Sequence, residues 1–329
     1  MTRPSRVLIS GAAGLTGAFV VREFARHSDR FTVAAFARSA ERVAAAGLEA
    51  SGAKVHYGSF EDRESFCRAL EGQDIYVHLV SLGFGHAPTV LDCCRLARVR
   101  RGVFVSTTAI FTDLDPESKV IRLEAEARIR DSGMDYTIIR PTMIFGTDED
   151  RNMSRLIRHL ARWPVVPVPG PGTSLMQPVH AADLAKAIVA AASTSIAIGR
   201  EYNVSGADPI TYNQTLDLIA ELLGRRVLRV HVPLRLMIPL FWLYERLMAH
   251  PRLSVEKLYR LNEDRAFSNA EARQDLGFEA MAFREGISRE IDEMTNRAPS
   301  GDRVSSIISR AATHPSKAPF RAIVMANGR

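Results

Sequence analysis

At 329 residues and 46% hydrophobic composition, the chain can form one large or two modest domains with a substantial core. No uninterrupted apolar run reaches about 18 residues, and no charged–apolar–small leader opens the chain, so a soluble, cytoplasmic protein is expected. The net charge of +6 does not point to nucleic acid, because the stretch from Arg297 to Arg329 sets six basic residues against Asp302 alone. That tail, 297–329, is rich in Ala, Ser and Pro without periodicity, and disorder is expected there. Cys67, Cys93 and Cys94 are odd in number and two are adjacent, which suits reduced core thiols rather than a disulfide framework. No Cys–His cluster has zinc spacing, so no metal is expected.

In chain order, the first element is the apolar run Val7-Leu8-Ile9-Ser10, which ends in Gly11-Ala12-Ala13-Gly14-Leu15-Thr16-Gly17. A helical pattern follows at once, with Leu15, Phe19, Val20 and Phe24 on one face. Strand, glycine turn and helix form a phosphate-binding unit. Gly11 turns the chain, Gly14 lets backbone N–H groups approach a pyrophosphate, and Gly17 lets helix and strand pack closely. The helix N-terminus faces the anion.

A second strand is read from Phe31 to Arg38. An NAD-preferring site places an acid near its end, about 20 residues past the glycines, to hold the ribose 2′-OH. The chain reads Phe36-Ala37-Arg38-Ser39 there, with no acid before Glu41. Arginine can fork two hydrogen bonds to a 2′-phosphate that an acid would repel, so NADP(H) is favoured over NAD(H). Strands are then read at Lys54–Tyr57, Asp74–Val80, Gly102–Ser106 and Tyr136–Arg140. Helices are read at Ser65–Leu70, Val90–Val99 and Lys119–Ser132, the last closed by Gly133. Alternation of this kind means an α/β Rossmann-type, doubly wound parallel sheet.

Further along, Met153–Trp163 reads as a helix and the proline-rich Pro164–Gly172 as loop. Arg151, Arg155 and Arg158 read as a solvated helix face. His180 reads as a packing or hydrogen-bonding residue, and Asp183–Ala192 as an alanine-rich core helix. The stretch 232–248 is apolar and broken by Pro233 and Pro239, with Trp242, Arg235 and Arg246. It reads as a lid helix lining a pocket, or as a surface helix in peripheral contact with a membrane, which would suit a hydrophobic or lipid-linked substrate.

Several motifs in order resemble the short-chain dehydrogenase/reductase superfamily, in the extended or atypical branch that holds the NAD-dependent epimerases and dehydratases. They are the Gly11 turn, Gly58-Ser59-Phe60-Glu61-Asp62, Val77-His78-Leu79-Val80, Phe104-Val105-Ser106-Thr107, Ile139-Arg140-Pro141 and Gln177-Pro178-Val179-His180. Tyr202-Asn203-Val204-Ser205-Gly206 and Leu276-Gly277-Phe278 continue the series. The resemblance implies an NAD(P)-binding Rossmann domain over 1–146 and a smaller C-terminal substrate-binding lid region over 147–296, with segments returning to the sheet. It adds Leu15, Thr16, Ser59, Phe60, Val80, Ser81 and Pro141 to the cofactor residues, and a small-molecule substrate such as a nucleotide sugar. The oligomeric state is not legible.

The chain departs from this family at its catalytic Tyr-x-x-x-Lys. Anchored on Glu126 and Ser132-Gly133, the lysine position falls on Arg122 and the tyrosine position on Ser118, and no tyrosine lies between Tyr76 and Tyr136. The upstream hydroxyl survives as Ser106 or Thr107. Read as an oxidoreductase or epimerase/dehydratase, the chain keeps Arg122 on ribose and phosphate while Thr107, Thr108 or Asp113 handles the proton. Arginine cannot itself transfer one, and serine is a poor acid unaided. Read as a binder, it resembles NmrA-like regulators or the dinucleotide-binding accessory subunit of respiratory complex I: an NADP-loaded redox sensor or scaffold.

Overall fold

The computed structural model describes residues 3–150, 152–248 and 254–297. Strands and helices alternate through the first half: β1 (Ser5–Ser10), α1 (Leu15–Ala25), β2 (Phe31–Ala37), α2 (Ala40–Ala45), β3 (Lys54–Tyr57), α3 (Arg63–Leu70), β4 (Ile75–His78), α4 (Ala87–Leu96), β5 (Arg101–Val105), α5 (Glu117–Arg130) and β6 (Asp135–Pro141). The second half adds β7 (Ile144–Phe145), α6 (Met153–Arg162), β8 (Val165–Pro169), β9 (Leu175–Met176), β10 (Val179–His180), α7 (Ala181–Ser193) and β11 (Arg200–Val204). It closes with β12 (Ile210–Thr211), α8 (Tyr212–Leu222), β13 (Leu228–Val232), α9 (Leu234–Leu247), α10 (Val255–Arg260), α11 (Ala270–Leu276) and α12 (Phe283–Arg297).

Seven strands form one sheet in the order β11-β6-β5-β4-β1-β2-β3, and every pairing is parallel. A right-handed crossover rule lets such a sheet cover both faces with helices, and alternate side chains of a strand divide between them. In β1, Val7 and Ile9 join Val20 of α1 and Ile188 of α7 in one core, whereas Leu8 joins Phe66, Val90 and Ile129 in the other. Strand order reverses between β1 and β4, and the crevice at their carboxyl ends is where such sheets bind ligands.

Two expectations are corrected. The segment 164–172 is not all loop: Val165–Pro169 is a strand, paired in parallel with β13. Pro167 and Pro169 are tolerated because this strand has one partner and needs no N–H on its free side. Cys67 and Cys93 are joined as a disulfide, leaving Cys94 as the buried free thiol. The packing of α3 on α4 brings the pair together, a long-range adjacency that spacing alone does not reveal. Helix α9, within the stretch 232–248, has no buried residue and lines neither of the two cavities described below. The tail expected to be disordered lies, after Arg297, outside the described residues.

Candidate functional site

The glycine turn has the geometry its spacing implies. Gly11 sits at φ +75°, in the left-handed region, and its carbonyl accepts from the Gly14 N–H at 3.0 Å. A Cβ on Gly17 would lie 2.2 Å from the Gly11 carbonyl oxygen, so only glycine lets α1 approach the turn. Gly14 differs from both: it is exposed, its φ of −86° suits any residue, and it opens toward the groove.

That groove, about 940 Å³, runs across the carboxyl ends of β1, β2, β3 and β4. Of the residues predicted to hold a cofactor, Gly11, Gly14, Arg38, Ser59, Phe60, Val80 and Ser81 line it. Leu15, Thr16 and Gly17 do not, standing behind it in the first turn of α1, and neither does buried Pro141. Sequence reasoning missed Ser39, Arg42, Glu61, Phe84 and His86, which also line it. An arginine one helical turn past Arg38 was the available signal for Arg42. The Phe60 ring lies 5.0 Å from that of His86 and 5.6 Å from that of His78. Beneath it, His78 Nδ1 is 2.7 Å from the Tyr76 hydroxyl, which is 2.7 Å from Ser10 Oγ. Burial lowers the His78 pKa to about 3, so the imidazole is neutral there.

A second cavity, about 260 Å³, opens beyond the ends of β5 and β6 and includes Thr107, Thr108, Thr112, Arg260, Glu263 and Arg265 in its lining. Its hydroxyls are not equivalent. Thr108 Oγ1 donates to the Pro141 carbonyl at 3.2 Å, and Thr112 Oγ1 donates to Glu263 at 2.8 Å. Thr107 Oγ1 accepts from the Ala109 N–H at 3.2 Å, which leaves its own proton for a ligand. Ser106 is buried behind this wall with its Oγ unpartnered, and does not line the cavity. Asp113 is exposed and outside both cavities; its backbone N–H, not its carboxylate, is tied in, donating to Glu263 at 2.7 Å. Arg265 is largely desolvated with Nε unpartnered, and burial, with Arg260 nearby, lowers its pKa.

Arg122 lines neither cavity. Its Nε lies 3.3 Å from where a Cβ on Gly83 would be, against the turn that follows Ser81. Its Nη1 donates to Ser118 Oγ at 3.1 Å. Burial lowers its pKa, Arg260 adds to the effect and Glu256 opposes it. Deeper in, Glu126 is fully buried and takes two bonds from Arg140, at 3.0 and 2.6 Å, fixing α5 against β6. His180 caps α7, accepting from the Ala182 N–H at 3.2 Å, with its ring against Phe19 and Phe145. Arg155 is solvent-exposed, Arg158 bonds to Ser154 and the Asp148 carbonyl, and Arg151 lies outside the described residues.

A parallel sheet with a glycine-turn groove at its switch point defines a dinucleotide-binding protein. A family model described as NAD(P)H-binding matches residues 11–195, and the chain belongs to this family, of the extended or atypical short-chain dehydrogenase/reductase type. It is 31% identical over 240 residues to a (4-alkanoyl-5-oxo-2,5-dihydrofuran-3-yl)methyl phosphate reductase of Streptomyces griseus, covering 67% of this chain and 74% of that protein. It is 24% identical over 224 residues to the mitochondrial NADH dehydrogenase [ubiquinone] 1 alpha subcomplex subunit 9 of Dictyostelium discoideum, covering 65% of this chain and 62% of the relative. Against short-chain dehydrogenase/reductase family 42E member 1 of Mus musculus, 29% identity covers 51% of this chain and 46% of that protein. Among solved structures, a nucleoside-diphosphate-sugar epimerase from Pseudomonas aeruginosa superposes with a TM-score of 0.72 at 18% identity, over 89% of this chain and 98% of that one. A UDP-glucuronic acid 4-epimerase from Bacillus cereus, solved with UDP-glucuronic acid and NAD, gives 0.71 at 14% identity, over 88% and 99%. Among the described residues, no helix is long and apolar enough to cross a membrane.

Proposed function

We propose that the protein is an NADP(H)-dependent reductase of a small carbonyl compound, with the cofactor in the groove of Gly11 and Gly14 and the substrate in the cavity of Thr107. When bound, the dinucleotide supplies the hydride that the carbonyl carbon takes up. Arg38, with Ser39 and Arg42 beside it in the wall, holds the 2′-phosphate. Thr107 offers its free proton as a hydrogen bond to the carbonyl oxygen, and Arg122, outside the cavity, adds only a more distant positive charge as negative charge develops there. The proton that completes the alcohol comes from water, which the open cavity admits. Residues 147–296 provide the substrate side, and Arg260 and Arg265 suit a substrate carrying an anionic group, as a nucleotide sugar or phosphate ester does.

The observation that carries this reading is the Thr107 hydroxyl, which faces the second cavity with its proton uncommitted. NADPH oxidation against a panel of nucleotide sugars, phosphorylated ketones and hydrophobic ketones tests it, with Thr107→Val as control. One observation favours a second reading, a cofactor-loaded sensor or scaffold: Ser118 and Arg122 are bonded to each other where the family places its tyrosine and lysine. No turnover across the panel with NADPH still bound would move the assignment there.

A further inference from the structure

Helix α9 has no buried residue. Leu236, Leu240, Leu243 and Leu247 recur at helical spacing and are 62, 65, 47 and 70% exposed, so one straight leucine stripe faces outward. Trp242 flanks it, also exposed, with the Arg246 guanidinium 5.2 Å above its ring. In the ribbon of β8 and β13, which leads into α9, Val165, Leu228 and Val230 are exposed as well. Between residues 225 and 260 the sequence sets eight arginines and lysines against two glutamates, whereas residues 1–224 with 261–296 are net acidic. Among the described residues of that segment Arg226, Arg235, Arg246 and Lys257 are exposed, and Arg235 and Arg246 lie on α9 with the leucine stripe.

We propose that α9 and the β8–β13 ribbon form a docking surface for anionic phospholipid. A second copy would bring the same positive charge against this one. A planar anionic surface suits the leucine stripe and the positive charge at once. The leucine stripe enters the acyl boundary, with Trp242 and the guanidiniums at headgroup level. Fourteen residues are too few to span, so the helix lies in the interface. It packs on α10, whose last residue, Arg260, lines the second cavity. Docking therefore sets that cavity beside the lipid.

The test is sedimentation of the full chain with vesicles of phosphatidylcholine alone or mixed with phosphatidylglycerol. The chain should pellet with the mixed vesicles and not the neutral ones, with Trp242 emission shifting blue in a Trp163→Phe background. Leu240→Glu with Leu243→Glu should weaken partitioning at least about ten-fold with unchanged circular dichroism and NADPH affinity, since both positions are exposed. Arg235→Glu with Arg246→Glu should act in the same direction. If the leucine variant pellets like wild type, the basic C-terminal stretch is responsible and the proposal falls. It falls equally if the wild type ignores anionic vesicles, or if it dimerises through the stripe instead.

Discussion

Arg122 Nη1 donates to Ser118 Oγ across 3.1 Å, one helical turn apart on α5. These are the two positions onto which the family resemblance in the sequence maps the tyrosine that moves a proton and the lysine that tunes it. Serine held in this way is an acceptor for a permanent cation, not an acid. If the pocket is otherwise that of a working reductase, Ser118→Tyr with Arg122→Lys should raise turnover of any accepted substrate by roughly 10²–10⁴-fold, the usual worth of general acid–base help. Steady-state NADPH oxidation measures it. An unchanged rate with cofactor bound would show that more than these two side chains is missing.

Cofactor choice rests on a short arc of the groove. With Arg38 and Arg42 both in its wall, NADPH should bind more tightly than NADH by roughly 1.5–3 kcal/mol, the scale of a charge-assisted hydrogen bond. Arg38→Ala should remove most of that difference, and Arg38→Ala with Arg42→Ala all of it, leaving NADH affinity nearly unchanged. Fluorescence titration of both cofactors decides the point. Equal affinities in the wild type would sink the assignment.

Gly14 separates binding from folding. Its φ of −86° permits a side chain, whose nearest neighbour would be the Gly11 oxygen at 3.1 Å, and the residue is exposed to the groove. Gly14→Val should therefore keep the circular dichroism and most of the melting temperature while losing dinucleotide binding. Gly17→Val, with its Cβ 2.2 Å from backbone, should instead fail to fold. A Gly14→Val variant that binds normally would place the pyrophosphate elsewhere.

What was legible in the chain followed from local chemistry. The parallel strands announced themselves as apolar runs because both sheet faces are covered, and the Gly11 turn because its shape needs glycine. The strand at Val165–Pro169 was hidden by its prolines, which an edge position accepts and a central one would not. The Cys67–Cys93 bond and the Thr112–Glu263 bond join residues 26 and 151 positions apart, and no local pattern encodes such pairings. Thr107, by contrast, was one of several candidate hydroxyls in sequence. It became distinct only once the partners of Thr108 and Thr112 were on hand.

The cysteine correction can be checked directly. If Cys67 and Cys93 are bridged, thiol titration of the unfolded, unreduced chain should find one thiol, Cys94, rather than three. Reduction should lower stability by about 3 kcal/mol on a loop-entropy basis, read as a shift in denaturant midpoint. Three titratable thiols in protein kept from reductant would show that Cys67 and Cys93 are reduced.

Glu290 sets the last expectation. Its side chain is buried beside Asp150, with Oε2 accepting from the Gly146 N–H at 3.1 Å. Burial, reinforced by Asp150, raises its pKa to about 10, so the carboxyl keeps its proton through neutral pH. Unfolded, the same group titrates near 4.5. Between those values the folded chain holds a proton that the unfolded chain has lost, so this contribution is complete in acid and declines as pH rises toward 10. Glu290→Gln keeps an acceptor for Gly146 and removes the titration. The variant should gain roughly 1 kcal/mol or more over wild type at pH about 8, and little at pH about 4. Denaturant melts at both pH values measure it. A variant destabilised at both would mean that the carboxyl is ionised in the fold and that its charge is what holds the Gly146 turn.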